Sequence, residues 1–155
     1  TGFSFSSYLN LVRLGVPEDD ITTLLMADYG LDLYGNAIIV NTEFAAANPD
    51  VVSKFLEAVA MGWKDAIADP ASVMPSLIER NPAADSALEQ RRLELAINAN
   101  VLTDFVSENG MGHIDSDRLA SAIEQIKVVY EFQNEPDASL YFTDAYLPDG
   151  GFAVK

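Results

Sequence analysis

The residues able to do chemistry are few and unevenly placed. The chain opens Thr1-Gly2-Phe3-Ser4-Phe5-Ser6-Ser7-Tyr8, a cluster of hydroxyls in front of an apolar run. A helix starting here would set free backbone N–H groups beside those hydroxyls, an arrangement that favours polar or anionic ligand groups. Ordinary serine capping of the helix would use the same residues. His113 is the one histidine and there is no cysteine, so neither a metal centre nor a nucleophilic site has its convergent groups. The loop Asn109-Gly110-Met111-Gly112-His113-Ile114 places that histidine as a solvent-exposed turn residue. Asp19-Asp20 and Asp115 with Asp117 each stand just before an element, where acids cap helices and oppose their dipoles rather than form an acid–base pair. The glycines at 110, 112, 150 and 151 lack the downstream Lys-Ser/Thr of a phosphate-binding loop and read as turns. We therefore expect no catalytic residue, no metal site and no cofactor.

Trp63, six tyrosines and eight phenylalanines are the other candidates, since solute pockets are walled by aromatic side chains. Trp63 recurs with Val52, Phe55, Leu56, Val59 and Ile67 at helical spacing, which assigns its ring to a core packed on neighbouring helices.

The elements that must hold these residues follow from their boundaries. Tyr8 to Leu14 reads as a short helix capped by serine and ended by Gly15 and Pro17. Ile21 to Met26 and Ala37 to Val40 read as short strands, separated by a segment with two glycines. Asn48-Pro49-Asp50 opens a long helix to Ala68, and Asp69-Pro70 opens a shorter one ended by Asn81-Pro82. A long helical segment runs from Asp85 to about Val106, and another from Ser116 to Phe132. The tail from Tyr141 to Pro148 is aromatic and wraps without regular structure. Two short strands beside five helices do not complete a sheet, so these strands need partners from elsewhere.

Composition narrows the partners. The 155 residues carry 24 acidic against 9 basic side chains, a formal charge of -15, so a phosphate backbone is repelled and nucleic acid is excluded. No run reaches the roughly 20 apolar residues of a membrane span. The opening Thr-Gly-Phe has neither an initiator Met nor a signal segment, and a soluble chain whose true beginning is missing is expected.

The order of segments then carries a resemblance. Ala27-Asp-Tyr-Gly-Leu-Asp-Leu-Tyr-Gly-Asn-Ala-Ile-Ile-Val-Asn-Thr-Glu-Phe44, Asn48-Pro-Asp-Val-Val-Ser-Lys-Phe-Leu-Glu-Ala-Val59, Trp63 and Asp69-Pro70 resemble the nitrate/taurine and thiamine-pyrimidine-precursor class of ABC solute-binding proteins. Gly110-Met-Gly-His-Ile-Asp115, Arg118-Leu119 and Tyr141-Phe-Thr-Asp-Ala-Tyr-Leu-Pro148 are similar to that family's closing segments. The resemblance implies a helix-dominated α/β chain, part of the type 2 periplasmic-binding-protein fold, in which two lobes joined by crossover strands hold ligand between them. By that analogy residues 1–35 end the second lobe, 36–41 cross back, and 42–155 are the C-terminal helical part of the first lobe. Ligand contacts then fall to Thr1, Phe3, Ser4, Ser6, Ser7 and Tyr8, and to Tyr34 and Asn36, which flank Gly35 at the crossover. The implied partners are a small polar or anionic organic molecule, the membrane permease of an ABC importer, and the N-terminal half of the same protein, in the periplasm or otherwise outside the cytoplasm. A same-fold enzyme or ligand-sensing module in thiamine-pyrimidine metabolism is one alternative. A freestanding helical interaction domain, which would lack no strands, is another.

Overall fold

Most helices begin where an acceptor side chain meets the free amides of a first turn, and a computed structural model, which describes residues 1–31 and 33–154, uses those acceptors in turn. Asn41 caps α2 (Thr42–Ala47), its Oδ1 accepting the Phe44 amide at 2.9 Å. Asp85 caps α5 (Ser86–Ala96) through the Leu88 amide at 2.9 Å. Asp115 caps α7 (Ser116–Lys127) through the amides of Asp117 and Arg118 at 2.8 and 3.0 Å. Between them, α3 (Pro49–Ala68) starts on its proline as the sequence implies, while the Asn48 side chain turns back to donate to the Phe44 carbonyl at 3.0 Å. The Asp69-Pro70 start gives a 3₁₀ turn, Pro70–Val73, leading into α4 (Met74–Arg80).

Three helical expectations are corrected. At the N-terminus a π-helical turn, Ser4–Tyr8, runs into α1 (Leu9–Arg13), with Phe3 in the capping position and no serine acting as cap. The Phe3 carbonyl collects the amides of Ser6 and Ser7 at 3.0 and 2.9 Å instead. The segment expected to continue to Val106 breaks after α5 into a widened turn, Ile97–Val101, because Thr103 Oγ1 accepts the Val106 amide at 3.2 Å and starts a new helix, α6 (Asp104–Asn109). The last helix stops at Lys127, not Phe132, since Val128 and Val129 are 86% and 76% exposed and no apolar contact offsets their poor helix propensity.

Neither expected strand pairs. Residues 21–25 are irregular and lead into a 3₁₀ turn, Met26–Tyr29, while residues 37–40 are outside any ladder. Among the described residues the one β-bridge is antiparallel, between Met111 and Phe152. The cause is the one the sequence suggests: a strand needs neighbours to take its backbone groups, and none is supplied here.

The core is thin. Leu9 is the largest fully buried side chain, and Val52, Ala60, Ala66 and Met74 bury the inner stripe of α3 and the start of α4. Phe55, on the expected stripe of α3, is 56% exposed. The accessible surface is 11260 Å² for a mass of 16.8 kDa, whereas a compact monomer of that mass exposes roughly 7,600 Å². About 3,600 Å² more surface than a self-contained domain shows is therefore open.

Candidate functional site

The N-terminal segment sits on α5. Arg92 Nη1 donates to the Phe5 carbonyl at 2.9 Å while its Nε pairs with Glu89 at 3.0 Å, so one guanidinium orients the opening turn. Phe3 stacks on Phe5, ring centroids 5.0 Å apart. Phe5 also forms one wall of a cavity of about 490 Å³ between α3, α4 and α5, whose other walls include Trp63, Met74, Leu77 and Leu93, with Glu89 and Arg92 as its charged lining. That volume suits a small organic ligand. Trp63 is half-buried on this cavity rather than enclosed among helices as the sequence suggests.

Tyr8 closes the segment at a second arginine. Its hydroxyl donates to Glu18, which also receives Arg91 Nη2 at 2.6 Å, and the Arg91 guanidinium lies 5.9 Å from the Tyr8 ring centroid. The hydrogen bonds from Arg91 and then Tyr8 favour the charged carboxylate and pull Glu18 down to about 2. The same carboxylate raises the Tyr8 phenol, because accepting a hydrogen bond from its O–H stabilises the neutral form. Ser4 and Ser6 are half-buried, and Thr1, Phe3 and Ser7 are exposed.

Tyr34 lies against the start of α7. The Asp115 amide donates to its Oη at 2.7 Å, and Arg118 stands 4.4 Å over its ring. Arg118 also donates to the Leu33 carbonyl at 3.2 Å, and Gln125 to that of Gly30 at 3.0 Å. One acceptor site and one face of the tyrosine are thus already engaged by α7. Asn36 is exposed. Among the described residues no hydrogen bond, ion pair or ring contact joins the Thr1–Tyr8 group to Tyr34 or Asn36, so the structure holds the candidate residues as two groups.

His113 departs from the expected exposed turn. Its ring is half-buried against Gly151, where an added Cβ would come within 2.8 Å of it, and Nδ1 is 3.9 Å from Asp144. Among the described residues no three His, Cys, Asp or Glu gather as metal ligands. Sequence reasoning missed Arg91, Arg92 and Arg118, which tie segments 73 to 87 residues apart. Their signal was scarcity: in a chain with 9 cations among 24 acids, an adjacent arginine pair inside a helix marks positions where a guanidinium fork is needed.

Comparison with known proteins finds one family model and a distant relative. Residues 3–73 match the family model described as NMT1/THI5 like. The chain is 26% identical over 156 aligned positions to the riboflavin-binding protein RibY of Chloroflexus aurantiacus, an alignment covering 97% of this chain and 42% of the relative. The chain thus spans less than half the length of that relative. No solved structure matches. The helix-dominated architecture is compatible with a partial α/β binding-protein fold of this family, and no described helix is long and apolar enough to cross a membrane.

Proposed function

We propose, from the NMT1/THI5-like match as premise, that this chain is the C-terminal part of an extracytoplasmic solute-binding protein that presents a small organic molecule to the permease of an ABC importer. The observation that carries the reading is the extent of that match, which takes in every candidate ligand residue but Thr1. In this reading residues 1–35 finish one lobe, 36–41 cross back, and 42–155 complete the other. The solute lies between the lobes, contacted by Thr1, Phe3, Ser4, Ser6, Ser7 and Tyr8 on one side, with Tyr34 and Asn36 at the crossover. The protein binds and releases its solute without transforming it, in keeping with a chain that has no cysteine and one histidine.

The ligand belongs to the nitrate, sulfonate or aminopyrimidine type, and the relative's printed name adds the flavin ring system to that range. Calorimetric titration of the full-length protein with nitrate, taurine, an alkanesulfonate, an aminopyrimidine and riboflavin tests the reading. Saturable one-to-one binding of one member, weakened by Ser6→Ala, Ser7→Ala, Tyr34→Ala or Asn36→Ala, is the expected result. If a ligand binds and all four variants hold it as tightly as the parent, the site assignment fails. If no member binds, the transport reading fails.

A further inference from the structure

The cavity between α3, α4 and α5 is lined by none of the eight residues proposed to contact the solute. Phe5 and Trp63 give it aromatic walls, Met74 and Leu93 aliphatic ones, and its charged residues are Glu89 and Arg92. Its volume of about 490 Å³ falls within the range of about 300 to 1,000 Å³ typical of small-molecule sites. Trp63 and Phe5 are each only half-buried, so both rings keep surface for a further ring to cover.

The polar corner of the cavity fixes the chemistry. Its charge is already balanced, because Arg92 Nε donates to Glu89 Oε2 at 3.0 Å with 23% and 24% of the two side chains exposed. An anion entering here would face the Glu89 carboxylate and lose water without gaining an unpaired cation. The pair nevertheless has hydrogen-bonding capacity left. A guanidinium carries five N–H donors and a carboxylate two acceptor oxygens. Among the described residues Arg92 donates only through Nε and through Nη1, to the Phe5 carbonyl at 2.9 Å, and Glu89 accepts only at Oε2. Arg92 Nη2 and Glu89 Oε1 thus remain, a donor and an acceptor on side chains three residues apart on one helix. Their complement is a carbonyl beside an N–H, the edge of a lactam. The aromatic walls and the Met74 thioether favour a flat ring behind that edge.

We infer that this cavity is a second binding site, for a neutral planar heteroaromatic molecule with a lactam edge, its carbonyl toward Arg92 and its N–H toward Glu89. The site goes beyond the function proposed above and does not depend on it, since it is built from Phe5 and the three helices alone.

Titration of the full-length protein with 2-quinolinone, a neutral bicyclic lactam, and with 2-naphthoate, an anion of similar size, tests the inference. The readout is the Trp63 indole N–H resonance, assigned by its loss in Trp63→Phe. 2-Quinolinone should shift it saturably at one molecule per chain, and at least about tenfold more tightly than 2-naphthoate. Glu89→Gln keeps the volume and removes the balancing negative charge, so the preference should turn toward 2-naphthoate, with circular dichroism confirming that the fold is kept. The selectivity of the parent decides the matter even where that variant does not fold. No shift of the Trp63 resonance, tighter binding of 2-naphthoate by the parent, or unchanged selectivity in folded Glu89→Gln would each overturn the inference. So would displacement of 2-quinolinone by whichever member of the solute panel binds, since there would then be one site and not two.

Discussion

Gly110→Ala tests how the C-terminal tail is locked. Gly110 has φ +78° and ψ 165°, a region open essentially to glycine alone. A Cβ there would lie 2.4 Å from the Gly150 carbonyl oxygen and 3.2 Å from the Gly151 carbonyl carbon, both backbone atoms that cannot rotate away. The backbone conformation alone costs about 1 to 3 kcal/mol for alanine. Relieving the contact moves the tail off the 110–112 loop and breaks the paired bonds from Met111 N to Phe152 O at 2.8 Å and from Phe152 N to Met111 O at 2.9 Å. Each such bond contributes about 1 kcal/mol net, so the total loss is about 3 to 5 kcal/mol. The matched control is Gly62→Ala, within α3, where an added Cβ meets nothing within 4 Å. Alanine in that helix interior should stabilise by about 0.8 to 1 kcal/mol. Thermal unfolding of the full-length protein and both variants, followed by circular dichroism, should therefore move in opposite directions. Gly110→Ala melting within a degree of the parent, or both variants shifting alike, would refute the reasoning.

Trp63→Ala should destabilise by about 2 kcal/mol, below the range of about 3 to 5 for a fully enclosed aromatic, because the ring is half-buried on an open cavity; urea unfolding measures it, and a loss near 5 would mean that the ring is covered in the full-length protein. The Tyr8–Glu18–Arg91 group should respond to acid. Glu18 is held at about 2 against an ordinary 4.5, so its contribution is fully present above pH 4.5 and is lost as pH falls from there toward 2. Carboxyl-carbon NMR shifts should place the parent midpoint near the low end of that window and return it toward 4.5 in Arg91→Ala; an unshifted parent would contradict the bonding described. Because both partners are largely exposed, with side-chain accessibilities of 42% and 47%, high salt should weaken the pair.

Local signals were the legible ones. Pro49 with Asp50, and the acceptors Asp85 and Asp115, are short-range devices whose effect is complete within one turn, and the helices start on them. Gly15, at φ +92°, ends the first helix as its conformational freedom permits. Where the outcome depends on distant groups, sequence periodicity failed. Phe55 has the apolar spacing of its helix yet is more than half exposed. The reading of one helical segment from Asp85 to Val106 passed over Thr103, whose hydroxyl restarts the chain as α6. The segments 21–26 and 37–40 carry strand chemistry, but among the described residues neither enters a ladder. The candidate site was legible as residue types, while the arginines that position it were not, because an arginine on a polar helix face reads as a solvated charge until its distant carbonyl is seen.

The most direct test of the account is equilibrium dialysis of the full-length protein against the solute panel above, with mass spectrometry of the solute recovered after release. The account predicts that one member is retained saturably at one molecule per chain and recovered with its mass unchanged. Retention of none of them, or recovery of a chemically altered product, would contradict it.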